Sequence, residues 1–219
     1  MLTLTSPSPR WSLTRHSQHL STRLWAAGLA LMLLAGCASQ APVDESGRQA
    51  GQWERQLAEV EAFDTWTMVG KAGLRTSQEN VSANLDWNQT PYYFRMLISG
   101  PFGGGRNVLE GREGRFSLSN SDGRFEAETP EALMQEQLGW ALPVSAMPDW
   151  VRGLPGDHDS FQLETDELGF PSHLEQDGWE IDYRDWEKFA DIWLPRRLIM
   201  NYDDVRITLV VNQWQASEE

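Results

Sequence analysis

Cysteine is almost missing: Cys37 is the single one in 219 residues. No disulfide can form within the chain, so its folded part must hold by its core alone. Asp and Glu are missing from the first 43 residues, which carry Arg10, Arg15 and Arg23 instead. A long apolar run is missing there too. Residues 24–34 (LWAAGLALMLL) are apolar and uncharged, but an eleven-residue helix spans only about 16 Å, against a hydrocarbon core of about 30 Å. That excludes this run as a membrane anchor in its own right.

Catalytic groups are scarce as well. Of four histidines, His16 and His19 lie near the N-terminus, and His158 and His173 are fifteen apart without ligand spacing. There is no GxSxG, no nucleophilic cysteine and no Walker loop; Gly103-Gly104-Gly105 is not followed by GK[ST]. These absences argue against an enzyme, a metal site or a bound cofactor. The formal net charge of −14 includes Arg10, Arg15 and Arg23; without those three it is −17. So acidic a body argues against nucleic acid and against broad adhesion to anionic lipid, and could steer a basic partner.

What is present starts at the N-terminus. A positive segment, a short apolar segment and small residues before a cleavage point compose a secretory signal. Leu34-Ala35-Gly36-Cys37 resembles the lipobox of bacterial lipoproteins. The resemblance implies cleavage before Cys37, a diacylglycerol on its thiol and acylation of the new amino terminus. Ala38, where Asp would mean retention in the inner membrane, implies an outer-membrane lipoprotein facing the periplasm. The expected organisation is a signal peptide over 1–36, the lipidated cysteine and a flexible tether over 37–52, and a single domain over 53–216. Residues 38–51 (ASQAPVDESGRQAG) are too polar to bury a core, whereas the remainder is long enough for one.

Within that domain the hydrophobic period changes twice. Residues 53–63 (WERQLAEVEAF) place Trp53, Leu57 and Val60 on one helical face. Strands follow. Val81, Ala83, Leu85 and Trp87 alternate with polar neighbours, and Phe94, Met96 and Ile98 repeat the pattern. Shorter strands are expected near Val108, Phe116 and Phe125. Thr129-Pro130-Glu131 reads as a helix start, with its end at Gly139. A Pro- and Trp-dense stretch with a short helix over 148–152 comes next. Strands resume around Asp177-Gly178, a hairpin turn, and close with a hairpin at Asp203-Asp204 whose last strand turns Ile207, Leu209 and Val211 one way. The order predicts a mainly β fold with helices (α+β): an open antiparallel half-barrel, a helical lid and an apolar cavity between them. Nine of the eleven tryptophans fall after Cys37, which suits either a large aromatic core or a lipid-handling surface.

One turn stands apart. In Ser99-Gly100-Pro101-Phe102-Gly103-Gly104-Gly105, Phe102 has no apolar neighbour in sequence. By residue type alone it is better placed folding back into the core than projecting. The chain nevertheless resembles the LolB family along about 160 residues: Val69-Gly70-Lys71, Trp87-Asn88-Gln89, Gly-Pro-Phe-Gly at 100–103, the helical segment 133–140, Leu142-Pro143, Trp150-Val151-Arg152-Gly153-Leu154-Pro155, Trp179, Leu194-Pro195 and Trp214. The resemblance implies a monomeric outer-membrane lipoprotein that accepts acylated lipoproteins from the periplasmic carrier LolA and inserts them into outer-membrane lipid. It also implies that the turn carries a projecting apolar residue for membrane insertion. Phe102, flanked by Pro101 and Gly103, stands where the family usually has Leu. Candidates for an acyl-chain cavity are Leu85, Trp87, Met96 and Ile98 on the strands and Leu133, Met134, Leu138, Trp140, Met147 and Trp150 on the lid; each suits an ordinary core equally well. Two other readings stay open: a scaffold lipoprotein with a filled core, and a carrier of free lipid on the same fold.

Overall fold

The computed structural model describes residues 47–216 apart from 101, 102, 104, 113, 139–142, 158 and 159, and of Leu138 the backbone alone. Helix α1 (Gln52–Ala62) comes first, then six strands: β1 (Trp66–Arg75), β2 (Asn80–Thr90), β3 (Tyr93–Ser99), β4 (Asn107–Arg112), β5 (Arg115–Asn120) and β6 (Gly123–Ala127). Helices α2 (Pro130–Leu138) and α3 (Met147–Trp150) follow, and five strands end the chain: β7 (Phe161–Thr165), β8 (Pro171–Gln176), β9 (Trp179–Phe189), β10 (Ile192–Tyr202) and β11 (Val205–Ala216). All eleven form one antiparallel sheet in the order β6-β5-β4-β3-β2-β1-β11-β10-β9-β8-β7. Two meanders are therefore joined by β1 pairing with β11, and the sheet stays open, with β6 and β7 as its edges. The expected half-barrel with helices is the observed architecture.

Side-chain alternation decides which face the core occupies. The pairs Trp87↔Met96, Met96↔Leu109 and Leu109↔Leu118 carry one apolar row across four strands, and all four residues are buried. On the other side of β1, Leu198↔Leu209 and Met200↔Ile207 continue the same face. Among the described residues the buried core runs from Trp53 to Val211 as one hydrophobic cluster.

The helices are fixed by polar contacts. The Thr129 hydroxyl accepts the Ala132 amide at 3.1 Å, as a helix N-cap does, with Pro130 in the first turn. Glu131 on α2 accepts both the amide and the hydroxyl of Ser145, at 2.9 and 2.8 Å. Helix α1 buries Trp53, Gln56 and Val60, while Leu57 is half-buried. The apolar period alone favours Leu57. Gln56 takes the inner place because its amide pairs with the backbone of Trp193, donating to the carbonyl and accepting from the amide at 2.9 Å each.

Three strand boundaries differ from the sequence pattern, each for a local reason. β7 is a short edge strand with four of its five residues exposed, so it has no alternation to read. β9 runs past Tyr183 to Phe189 because Asp185, at φ 53°, shifts the alternation and returns Trp186 to the core. β10 starts at Ile192, and Ile192, Trp193, Leu194 and Pro195 are all buried because α1 packs across them.

Candidate functional site

Between the sheet and the helices lies an apolar cavity of about 430 Å³. Its walls are Ala72 and Leu74 of β1, Val81, Ala83 and Leu85 of β2, Met96 and Ile98 of β3, Met200 of β10 and Ile207 and Leu209 of β11, with Met134 of α2 and Met147 of α3 above. Glu79 and Gln137 are the two polar lining residues, and Val81 is half-exposed. Small alanines facing each other create the space: Ala72 pairs with Ala83 on one side and with Leu209 on the other. Unbranched methionines line its roof and far wall and can re-pack around an irregular apolar guest.

Five of the ten cavity candidates line this space: Leu85, Met96, Ile98, Met134 and Met147. Trp87, Leu133 and Trp150 are fully buried in the core outside the lining. Trp87 packs edge-on against Trp66 at 4.9 Å between ring centroids, and the Trp150 indole nitrogen donates to Gln176 at 2.8 Å. Trp140 and the side chain of Leu138 lie outside the described residues. The strand-borne lining residues that the sequence reading did not single out, Met200, Ile207 and Leu209 among them, come from the far end of the chain. Only the β1–β11 pairing brings them to β2.

The strand that lines the cavity through Met96 and Ile98 leads straight into the glycine-rich turn. The amide of Gly103 donates to the carbonyl of Gly100 at 3.1 Å, and Gly103 has φ 80°. Gly103 thus sits in the left-handed region, a conformation that favours glycine. Pro101 and Phe102 lie outside the described residues, as does Cys37.

The tryptophan-dense stretch has a structural role. Arg152, 6% exposed, donates from one guanidinium nitrogen to the carbonyls of Val60, Glu61 and Phe63 at 2.9, 3.2 and 2.9 Å. Its other nitrogens meet the Pro148 carbonyl at 2.9 Å and Asp149 at 2.5 Å. The Phe63 amide already donates to the Val60 carbonyl at 3.2 Å, and Arg152 adds a side-chain cap to the same end of α1. Burial pushes the Asp149 carboxyl above its ordinary range, against the opposing pull of Arg152. Gln176, buried, receives Trp150 and exchanges two bonds with the backbone of Gly156, at 2.8 and 3.0 Å. Among the described residues no three His, Cys, Asp or Glu side chains are grouped to hold a metal ion. No described helix is long and apolar enough to cross a membrane.

Comparison with known proteins follows this geometry. The family model described as outer membrane lipoprotein LolB matches residues 64–214. The outer-membrane lipoprotein LolB of Chromohalobacter salexigens is 54% identical over 195 residues, covering 89% of this chain and 91% of that protein. The same-named protein of Pseudomonas aeruginosa strain LESB58 is 41% identical, covering 90% and 97%. Among solved structures, a DUF1329 family protein from Desulfovibrio piger superposes with a TM-score of 0.50 at 7% identity, over 76% of this chain and 92% of that one, a likeness of fold alone. On the strength of the family match and of these relatives, the chain belongs to the LolB family of outer-membrane lipoproteins.

Proposed function

We propose that this lipoprotein accepts acylated lipoproteins from the periplasmic carrier LolA and inserts them into the outer membrane, holding acyl chain in the cavity under α2 and α3. The observation that carries the reading is a continuity: β3 lines the apolar cavity and runs without interruption into the Gly-Pro-Phe-Gly turn. A container on a strand whose sequence continues into this apolar-bearing segment suits a device that first shelters a chain and then releases it at a bilayer.

The physical need is large. The roughly 45 methylenes of a triacylated protein would cost tens of kcal/mol exposed to water, at about 0.8 kcal/mol each. The cavity of about 430 Å³ holds about fourteen groups of the roughly 30 Å³ that a water-sized unit occupies, which is one acyl chain. Seating the others requires α2 and α3 to move apart from the sheet, and the methionine contacts there are the ones that can yield. No nucleotide-binding motif stands in the sequence, so transfer runs downhill, from carrier to this cavity to membrane. Cys37 is the acylation site in this reading and localises the domain; residues 1–36 are the cleaved signal.

The test uses the chain from Ala38 onward, which retains every described core residue. It is mixed with an acylated lipoprotein bound to LolA, and the lipoprotein is followed by pull-down; liposomes are then added, with Phe102 intact and with Phe102→Glu. Both forms should take up the lipoprotein, and the intact one alone should deliver it. No uptake by either form would remove the acceptor reading and favour a scaffold lipoprotein.

A further inference from the structure

One wall of the folded body escapes its strong negative charge. From Tyr93 to Ala127, the span of β3–β6, there are five arginines and four carboxylates. After Cys37 the rest of the chain has ten basic and twenty-eight acidic residues. A body of strong negative charge thus has one wall that is not repelled by an anionic surface, and that wall flanks the glycine-rich turn at 100–106.

Register places most of this charge on the face turned away from the core. Phe94, Met96 and Ile98 point inward, so Tyr93, Arg95 and Leu97 point out. Tyr93, Arg112 and Arg115 make one outward row; Arg95, Glu110, Ser117 and Glu126 the next; Leu97, Val108 and Ser119 the one nearest the turn, with Arg124 paired to Ser119. The guanidinium of Arg112 lies 4.8 Å over the Tyr93 ring. Arg95 and Arg124 share Glu110 at 3.6 and 3.8 Å, and Arg124 also meets Glu126 at 3.0 Å. Both guanidinium groups keep contact with solvent, Arg95 being 37% and Arg124 57% exposed. Next to the turn, the outward residues Leu97 and Val108 are apolar and half-buried.

We propose that the outward face of β3–β6 binds anionic phospholipid, its arginines meeting headgroup phosphates while the acidic remainder of the molecule is held off the surface. The opposed charges orient the domain, turning the edge that bears residues 100–106 toward the bilayer before any cargo is released. Guanidinium groups suit this role because they pair with phosphate oxygens in a fixed fork. The effect is confined to the Debye length, about 8 Å at physiological salt, so it acts only at contact. The proposal rests on the membrane-delivery reading for its purpose, but the binding itself is measurable without cargo.

The experiment is sedimentation of the chain from Ala38 with vesicles of phosphatidylcholine, or of phosphatidylcholine containing phosphatidylglycerol. Binding should require phosphatidylglycerol and fall as salt is raised. The exposed pair Arg112→Gln with Arg124→Gln should weaken it about tenfold or more, at about fivefold per arginine; Arg196→Gln with Arg206→Gln, on β10 and β11, should leave it unchanged. Circular dichroism confirms that each variant is folded. Equal binding to both vesicle types, or undiminished binding by the Arg112/Arg124 pair, would overturn the proposal. Loss of binding in Phe102→Glu with the arginine variants unaffected would do the same while leaving delivery through the turn intact. Arginine-dependent binding in a protein that takes up no lipoprotein would uphold the lipid surface and remove the acceptor reading.

Discussion

His173 on β8 has Nδ1 3.0 Å from Asp182 and Nε2 3.6 Å from Glu175. The hydrogen bond to Asp182 is the main reason its pKa is raised above the ordinary imidazole value of 6.5; partial burial opposes it, and the charges of Asp182 and Glu164 add to it. A group that binds its proton more tightly when folded stabilises the fold while protonated. Its contribution is therefore full below about pH 6.5 and is lost as pH rises through the raised value. His173→Gln should lower the thermal midpoint at about pH 5.5 and have a much smaller effect at about pH 8.5; an equal effect at both would show that the imidazole packs rather than titrates. Gly70 illustrates a different constraint at the same scale. A Cβ there would meet the Val210 carbonyl oxygen at 2.5 Å, where a bulge draws β11 close to β1. The Val-Gly-Lys triplet was visible in the sequence, but the strand that makes its glycine necessary lies about 140 residues away.

At the scale of elements, α1 and α3 are joined chiefly through Arg152. Its own side chain buried, it donates to three carbonyls at the end of α1 and to one partly exposed carboxylate on α3. Arg152→Met keeps much of the length and loses every one of these bonds; the Val60 carbonyl retains the Phe63 amide, while Asp149 loses its cation. The expected cost is about 3 kcal/mol, at the low end for a broken buried pair because Asp149 remains partly exposed. Arg152→Lys should recover part of it by restoring charge without the fork. Urea unfolding measures both. A loss below 1 kcal/mol in Arg152→Met, about the size of an ordinary surface pair, would mean that water caps α1 equally well. The helix itself was readable from its period, and so was the start of α2 at Thr129. Arg152 shows in the sequence only as one member of the Trp150–Pro155 run, because nothing in sequence relates position 152 to the carbonyl of Val60.

For the whole molecule, the decisive feature is that an open sheet must be covered, and the cover leaves a gap. Ala72 and Ala83 keep that gap open, with Leu209 beside them. Ala83→Phe should fill it. The fold should survive, since the added ring enters existing space, while displacement of a fluorescent fatty-acid probe should show affinity reduced at least tenfold, the equivalent of about 1.4 kcal/mol. Undiminished probe binding would place acyl chains elsewhere. The same global view explains the charge pattern. A uniform surface of net charge −17 would stay off a bilayer in every orientation, whereas a body with one arginine wall has a preferred one.

The sequence by itself determined the signal and lipobox pattern, the alternating strands of both meanders, the Asp177-Gly178 turn with φ 52° and 79°, and the cavity candidates Leu85, Met96 and Ile98. These follow from local rules: period, turn chemistry and the inward face of a single strand. Tertiary structure alone decided that Trp87, Leu133 and Trp150 fill the core while Met200, Ile207 and Leu209 line the space, and that Gln56 rather than Leu57 is buried. The reason is common to all of them. Periodicity states which face of an element is apolar, but whether that face meets a neighbour or a void depends on strands paired across the chain. In this protein the pairing of the first strand with the last makes that choice.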